Sequence, residues 1–143
     1  MYIISACLLG ENCKYNGGNN LNENVIDLIK GHNYIAVCPE VAAGCPVPRS
    51  PMEIRAGRVY SIDGEDFTEK FRDGAARVLA EARARAKESG EDIELAVLKS
   101  RSPSCGCGRI YDGTFTHTLV DGDGVLAELL KKNGIKIISE EEC

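Results

Sequence analysis

Seven cysteines stand in 143 residues, beside two histidines and no tryptophan. Thiols are the groups here that could bind a metal or react as nucleophiles. An odd number cannot form a complete set of intramolecular disulfides. The N-terminal run Met1–Cys7 has no basic leader and no long apolar stretch, so no signal peptide is read there. The expected compartment is the cytoplasm, where cysteines serve as reduced ligands or reactive groups rather than as staples.

Spacing narrows the chemistry. Structural zinc is usually held by closely spaced pairs such as C-x-x-C. The nearest pair here is Cys105-Gly106-Cys107, whose single spacer suits zinc poorly. His32 follows a helix stop and reads as a surface residue; His117, flanked by threonines, reads as structural. Iron–sulfur clusters accept thiolates from distant loops. Spacing alone leaves zinc and a cluster both open, with three candidate ligands and no obvious fourth.

Those three are Cys7, Cys38 and Cys105, and the elements around them explain why. Apolar runs at residues 2–6, 34–37, 93–99 and 135–138 read as buried strands. Helical spacing of apolar residues predicts helices over 21–30, 65–88 and 124–132. Asp66 with Glu69 resembles a capping box for the second helix, and Asp123 is the expected cap of the third. The proline-rich stretch 41–56 reads as an ordered loop, as does 100–113, with a short strand at 58–62 between them.

Strands alternating with helices predict one α/β domain over residues 1–143, a mostly parallel sheet with helices on both faces, Rossmann-like. Sites in such sheets gather beyond the carboxyl ends of the strands. Cys7, Cys38 and Cys105 each follow a predicted strand. A single cysteine is more often a small buried residue than a ligand. Three brought to one sheet edge by topology form a candidate site.

Composition bounds the partners. The net charge of −5, the pI near 5.1 and the lack of any Lys/Arg run weigh against nucleic-acid binding. No apolar run is long enough to span a membrane. The composition, 43% hydrophobic and 27% charged, is that of a globular chain rather than a disordered one. Oligomeric state is not written in these features.

Seven segments together resemble a known family. They are Ser5-Ala6-Cys7-Leu8-Leu9-Gly10, Cys38-Pro39-Glu40-Val41, Pro46-Val47-Pro48-Arg49, residues 99–106 containing Ser102-Pro103-Ser104-Cys105-Gly106, Ile110-Tyr111-Asp112-Gly113-Thr114-Phe115, Gly122-Asp123-Gly124-Val125 and Ser139-Glu140-Glu141. In this order they resemble the thiouracil desulfidase family, formerly known as a domain of unknown function. The resemblance implies a [4Fe-4S] cluster held by Cys7, Cys38 and Cys105, with one iron not ligated by cysteine. It also implies non-redox removal of sulfur from a thiolated uracil-type base, yielding uracil and sulfide. The substrate would be a small thio-base or thio-nucleoside.

The residue types suit that chemistry. Breaking a carbon–sulfur bond hydrolytically needs a polarised sulfur, an activated water and a proton donor. Glu40 is the expected general base, with Ser102 and Ser104 as hydrogen-bonding or proton-relaying groups. Lys99 and Arg101 could stabilise negative charge, and Tyr15, Tyr111 and Asp112 could line a pocket for a planar base. Two features depart from the family pattern. Cys13, Cys45 and Cys107 are extra thiols near the site segments, each a possible fourth ligand or sulfur acceptor. Asn16-Gly17-Gly18 stands where an Asp-Gly turn is typical. The competing reading is a non-catalytic iron–sulfur or zinc module used for sensing or scaffolding.

Overall fold

The computed structural model describes all of residues 1–143. Its centre is a four-stranded parallel sheet in the order β2-β1-β5-β8. The strands are β1 (Tyr2–Ser5), β2 (Tyr34–Val37), β5 (Leu95–Leu98) and β8 (Ile137–Ser139). β1 pairs with β2 from Tyr2↔Tyr34 to Ser5↔Val37, and with β5 from Tyr2↔Leu95 to Ile4↔Val97.

Successive side chains of a strand face opposite ways, so the apolar run of β1 serves two cores. Ile3 joins Val37 and Leu98 under Ala75, Val78, Leu79 and Ala82 of α3 (Thr68–Glu88) and Leu126 and Leu130 of α4 (Val125–Lys132). Ile4 joins Leu8 and Val97 under Val25 and Ile29 of α1 (Glu23–Ile29). Helices therefore cover both faces, which is what a continuous rather than alternating apolar strand requires. No helix is long and apolar enough to cross a membrane.

Two antiparallel ribbons flank the sheet. β3 (Met52–Arg55) pairs with β4 (Arg58–Ser61), and β6 (Arg109–Tyr111) pairs with β7 (Leu119–Asp121). The strand expected at 58–62 is present as β4, while β3 and β6 lie where loops are expected. The prolines that argue for a loop end at Pro51, one residue before β3 begins. The β3–β4 turn has positive φ at both Ala56 (51°) and Gly57 (76°), the geometry that matches the twist of a tight hairpin. Glu53, in β3, is buried and accepts from the Gly113 and Phe115 N–H groups at 3.1 Å each, fastening the second ribbon's loop to the first.

Both expected caps are corrected. α3 starts at Thr68, and Asp66 accepts from the Thr68 N–H at 2.9 Å instead of forming a capping box. Glu69 pairs with Arg72. Asp123 does not cap α4: its carboxylate accepts from the Gly108 N–H and from the Lys131 side chain in the last turn of α4. The first N–H groups of α4 are satisfied by carbonyls of the Ser-Pro-Ser-Cys loop: Val125 donates to Pro103 at 3.0 Å and Leu126 to Ser104 at 2.8 Å. Gly124 permits this approach, since a Cβ there would lie 2.7 Å from the Cys105 nitrogen.

A second close contact fixes the segment after β2. Pro39–Ala42 forms a single turn, α2, with Cys38 as N-cap and Pro39 at N1. Gly74 of α3 faces it, where a Cβ would come 2.2 Å from the Pro39 carbonyl oxygen. Any side chain at 74 would push α2, and with it Cys38 and Glu40, away from α3.

Candidate active site

The carboxyl ends of β1, β2 and β5 open into one cavity of ≈ 320 Å³, within the size range of small-molecule sites. Cys7 stands on the 3-10 turn Ala6–Leu9 after β1, Cys38 at the head of α2, and Cys105 in the loop that caps α4. All three line the cavity, and so does Cys13. All seven cysteines are free thiols. Cys45 is buried in the small core under Phe71, Cys107 is beside Lys131, and Cys143 is exposed; none of these three borders the cavity.

The thiols differ in environment. Cys13 hydrogen-bonds both Cys7 and Cys38, and this donation lowers the pKa of each to about 7 against the opposing effect of burial. Asn20 Nδ2 adds a contact to Cys7 Sγ at 3.5 Å, and the Val41 N–H adds one to Cys38. Cys13, as the donor, is shifted upward, and its single S–H serves one partner at a time. Cys105 is 5% exposed, and burial pushes its thiol up to about 12 despite a hydrogen bond from the Ser5 hydroxyl.

A buried thiol of this kind ionises when a cation compensates it, as an iron centre does. No three His, Cys, Asp or Glu side chains converge on the position of a single ion. The thiols instead border a cavity from separate strand ends. That arrangement fits a multi-iron group better than tetrahedral zinc.

Next to the thiols lies a buried polar chain. Arg49 Nε donates to Glu40 Oε1 at 3.0 Å, with side chains 5% and 12% exposed. Ser104 Oγ donates to Glu40 Oε2 at 2.9 Å, and Ser102 Oγ lies 3.0 Å from Ser104 Oγ. Because Ser104 gives its one hydrogen to the carboxylate, Ser102 must be the donor to Ser104. Ser102 Oγ also accepts the Ser104 and Cys105 N–H groups at 3.2 and 3.1 Å. Its hydrogen-bonding capacity is then used up, whereas Ser104 and Glu40 each keep a free lone pair.

The other expected residues divide. Tyr15, Tyr111 and Lys99 border the cavity. Lys99 Nζ reaches the Ser100 carbonyl, Ser100 Oγ and Glu140 Oε1 at 3.0–3.1 Å, so its three hydrogens are committed. Glu140 is ionised against its own burial, held below the usual carboxylate range by Ser100 and Lys99. Asp112 does not border the cavity: its carboxylate closes a local turn on the Thr114 N–H and hydroxyl at 3.0 and 2.6 Å. His117, read as structural, borders the cavity and meets Tyr111 edge-on at 5.5 Å.

Known proteins are similar to this chain. Residues 2–142 match the model of the family described as 2-thiouracil desulfurase. The chain belongs to the 2-thiouracil desulfurase family. It is 39% identical over 152 aligned positions to the uncharacterized protein YbbK of Bacillus subtilis (strain 168), covering 99% of this chain and 97% of the relative. It is also 39% identical to a solved [4Fe-4S]-dependent thiouracil desulfidase, TudS, with a TM-score of 0.87 over 99% of this chain and 91% of that one.

In this member of the 2-thiouracil desulfurase family, Arg49 is the residue that sequence reasoning misses. It closes the Pro46–Arg49 segment, and nothing local marks its partners. Besides Glu40 it donates to the Pro46 carbonyl at 3.2 Å and the Cys13 carbonyl at 2.8 Å. Arg49→Met should strand the buried Glu40 carboxylate and cost about 3–5 kcal/mol, read as a lower denaturant midpoint. Adding Glu40→Met should recover much of that loss, because the pair is then removed as a unit.

Proposed function

We propose that this protein is a desulfidase that exchanges the sulfur of a thiouracil-type base for the oxygen of water. The cofactor is a [4Fe-4S] cluster held by Cys7, Cys38 and Cys105, with one iron free of cysteine in the reacting state. The observation that carries this reading is the meeting of three strand-end thiols and the Glu40–Ser104 pair in one cavity. The ring carbon loses sulfur as sulfide and gains oxygen, with no change of oxidation state. When bound, the cluster supplies a Lewis-acidic iron that polarises the thiocarbonyl sulfur.

Glu40 takes the proton of the attacking water, and its Arg49 and Ser104 contacts hold the carboxylate in one orientation. Ser104 offers its free lone pair to water or a ring N–H. Ser102 positions Ser104 rather than touching substrate. Tyr15 and Tyr111 present flat faces to a planar base. Lys99 contributes charge beside Cys7.

The substrate is a small thio-base or thio-nucleoside. Of the four cations bordering the cavity, Arg49, Lys99 and Arg101 are each paired with a carboxylate (Glu40, Glu140 and Glu141), which leaves Lys14 alone unpaired. That balance suits a small molecule rather than the phosphates of an intact nucleic acid. Seven free thiols suit a reducing compartment, the cytoplasm.

Anaerobic reconstitution tests the reading. The protein should bind about four irons and four labile sulfides per chain, and the product should release sulfide and uracil from 2-thiouracil. Tight zinc without labile sulfide would overturn it. An intact cluster that releases no sulfide would leave the sensing or scaffolding module as the better account.

A further inference from the structure

Glu53 has a structural duty on one carboxylate oxygen and none on the other. It is 8% exposed and borders the cavity together with Tyr111 and His117. The Gly113 and Phe115 N–H groups both fall on Oε1 at 3.1 Å. Oε2 has no partner in the chain. Arg49, Lys99 and Arg101 pair with other carboxylates, and Arg55 lies over the Tyr60 ring. No side-chain oxygen sealed from solvent lacks a hydrogen bond, so Oε2 is open to solvent. The crevice that Glu53 also borders, beside Ile54 and Ile110, is too narrow for a water. The opening is therefore onto the cavity.

Fastening the loop calls for an acceptor at position 53, not for a carboxylate. A glutamine oxygen would receive the same two N–H groups at a lower desolvation cost. What a carboxylate adds is a second acceptor, and here that acceptor faces the space a substrate fills.

We propose that Glu53 is a specificity-determining residue whose Oε2 accepts the N3–H of the bound pyrimidine and so selects uracil-type over cytosine-type thio-bases. This rests on the desulfidase reading above. N3 decides between the bases because it carries a hydrogen in uracil and a lone pair in cytosine. It also stays free when N1 carries a sugar, so one acceptor serves base and nucleoside alike. In a 2-thio-base the 4-amino group of cytosine lies one ring position further from the sulfur, and it cannot take the place of N3 while the sulfur is held. The assignment leaves the free lone pair of Ser104 for the attacking water. A cytosine-type ring sets its N3 lone pair against Oε2, and a polar site left unpaired in this way should cost roughly 10- to 100-fold in kcat/KM.

The test compares reconstituted wild type with Glu53→Gln. Sulfide release is measured from 2-thiouracil and 2-thiocytosine, and calorimetric titration reads the binding of unreactive uracil and cytosine. Wild type should favour the uracil-type base by that factor in both. In Glu53→Gln the loop N–H groups hold the amide oxygen, which turns the amide nitrogen towards the cavity as a donor. The preference should then fall to near unity or reverse. An unchanged preference, with sulfide still released, would overturn the proposal, since Glu53 would only fasten the loop. Wild type alone gives a second test that does not depend on how the variant folds. 3-Methyl-2-thiouracil should lose at least the same factor, and 1-methyl-2-thiouracil should not; equal losses would overturn the proposal. Release of sulfide from none of these bases at full cluster content would overturn the desulfidase reading, and this inference with it.

Discussion

Glu40→Gln is expected to lower turnover about 10²- to 10⁴-fold, the usual worth of a positioned general base, with iron content unchanged. The substitution keeps the shape of the side chain, and the amide oxygen can still accept from Ser104 or Arg49. What it removes is the ability to take a proton from water. The loss should therefore fall on kcat more than on KM. Ser104→Ala and Ser102→Ala, measured at equal cluster content, locate the base. If Glu40→Gln kept near-normal turnover while a serine variant lost it, the base would lie in the Ser-Pro-Ser-Cys loop. Loss of iron in Glu40→Gln would make Glu40 a structural or ligating group.

The second large effect concerns the ligands. Cys105→Ser should abolish most iron uptake, and Cys7→Ser and Cys38→Ser should do the same, each read as iron and labile sulfide per chain. Cys105 carries the sharpest expectation because it is buried, with Ser5 and Ser104 already occupying the polar positions around it. A serine hydroxyl there is a harder and far less acidic donor than a thiolate. Cys143→Ser, at the exposed terminus, should leave iron unchanged. Full iron in Cys105→Ser would remove that residue from the ligand set.

The parts legible in the sequence are those carried by periodicity. The runs at Tyr2, Tyr34, Ile93 and Ile135 are continuously apolar, so they mark the strands of a parallel sheet, and the long amphipathic stretch marks α3. With those strands placed, the convergence of Cys7, Cys38 and Cys105 follows from topology alone. Of the two ribbons only β4 is legible, because β6 and β7 are three residues each and β3 follows directly on proline. Neither is the role of Asp123: a cap residue is chosen by local competition, and here backbone carbonyls from a distant loop win. Arg49 and Cys13 owe their significance to partners brought by tertiary packing. Asp112, by contrast, looks like a pocket residue in sequence only because an Asp-Gly turn and a binding loop share composition.

The capping of α4 by the cysteine loop makes two backbone amides into reporters of that loop. The Val125 and Leu126 N–H groups point at the Pro103 and Ser104 carbonyls and have no partner within their own helix. They exchange with solvent deuterium only when the segment carrying Cys105 swings away, since the rest of α4 is anchored by Leu126 and Leu130 in the main core. Their protection therefore measures the free energy of opening that one segment, separately from global unfolding. Occupancy at Cys105 should slow these two amides more than the interior amides of the same helix, so the fold carries its own gauge of how tightly the site is closed.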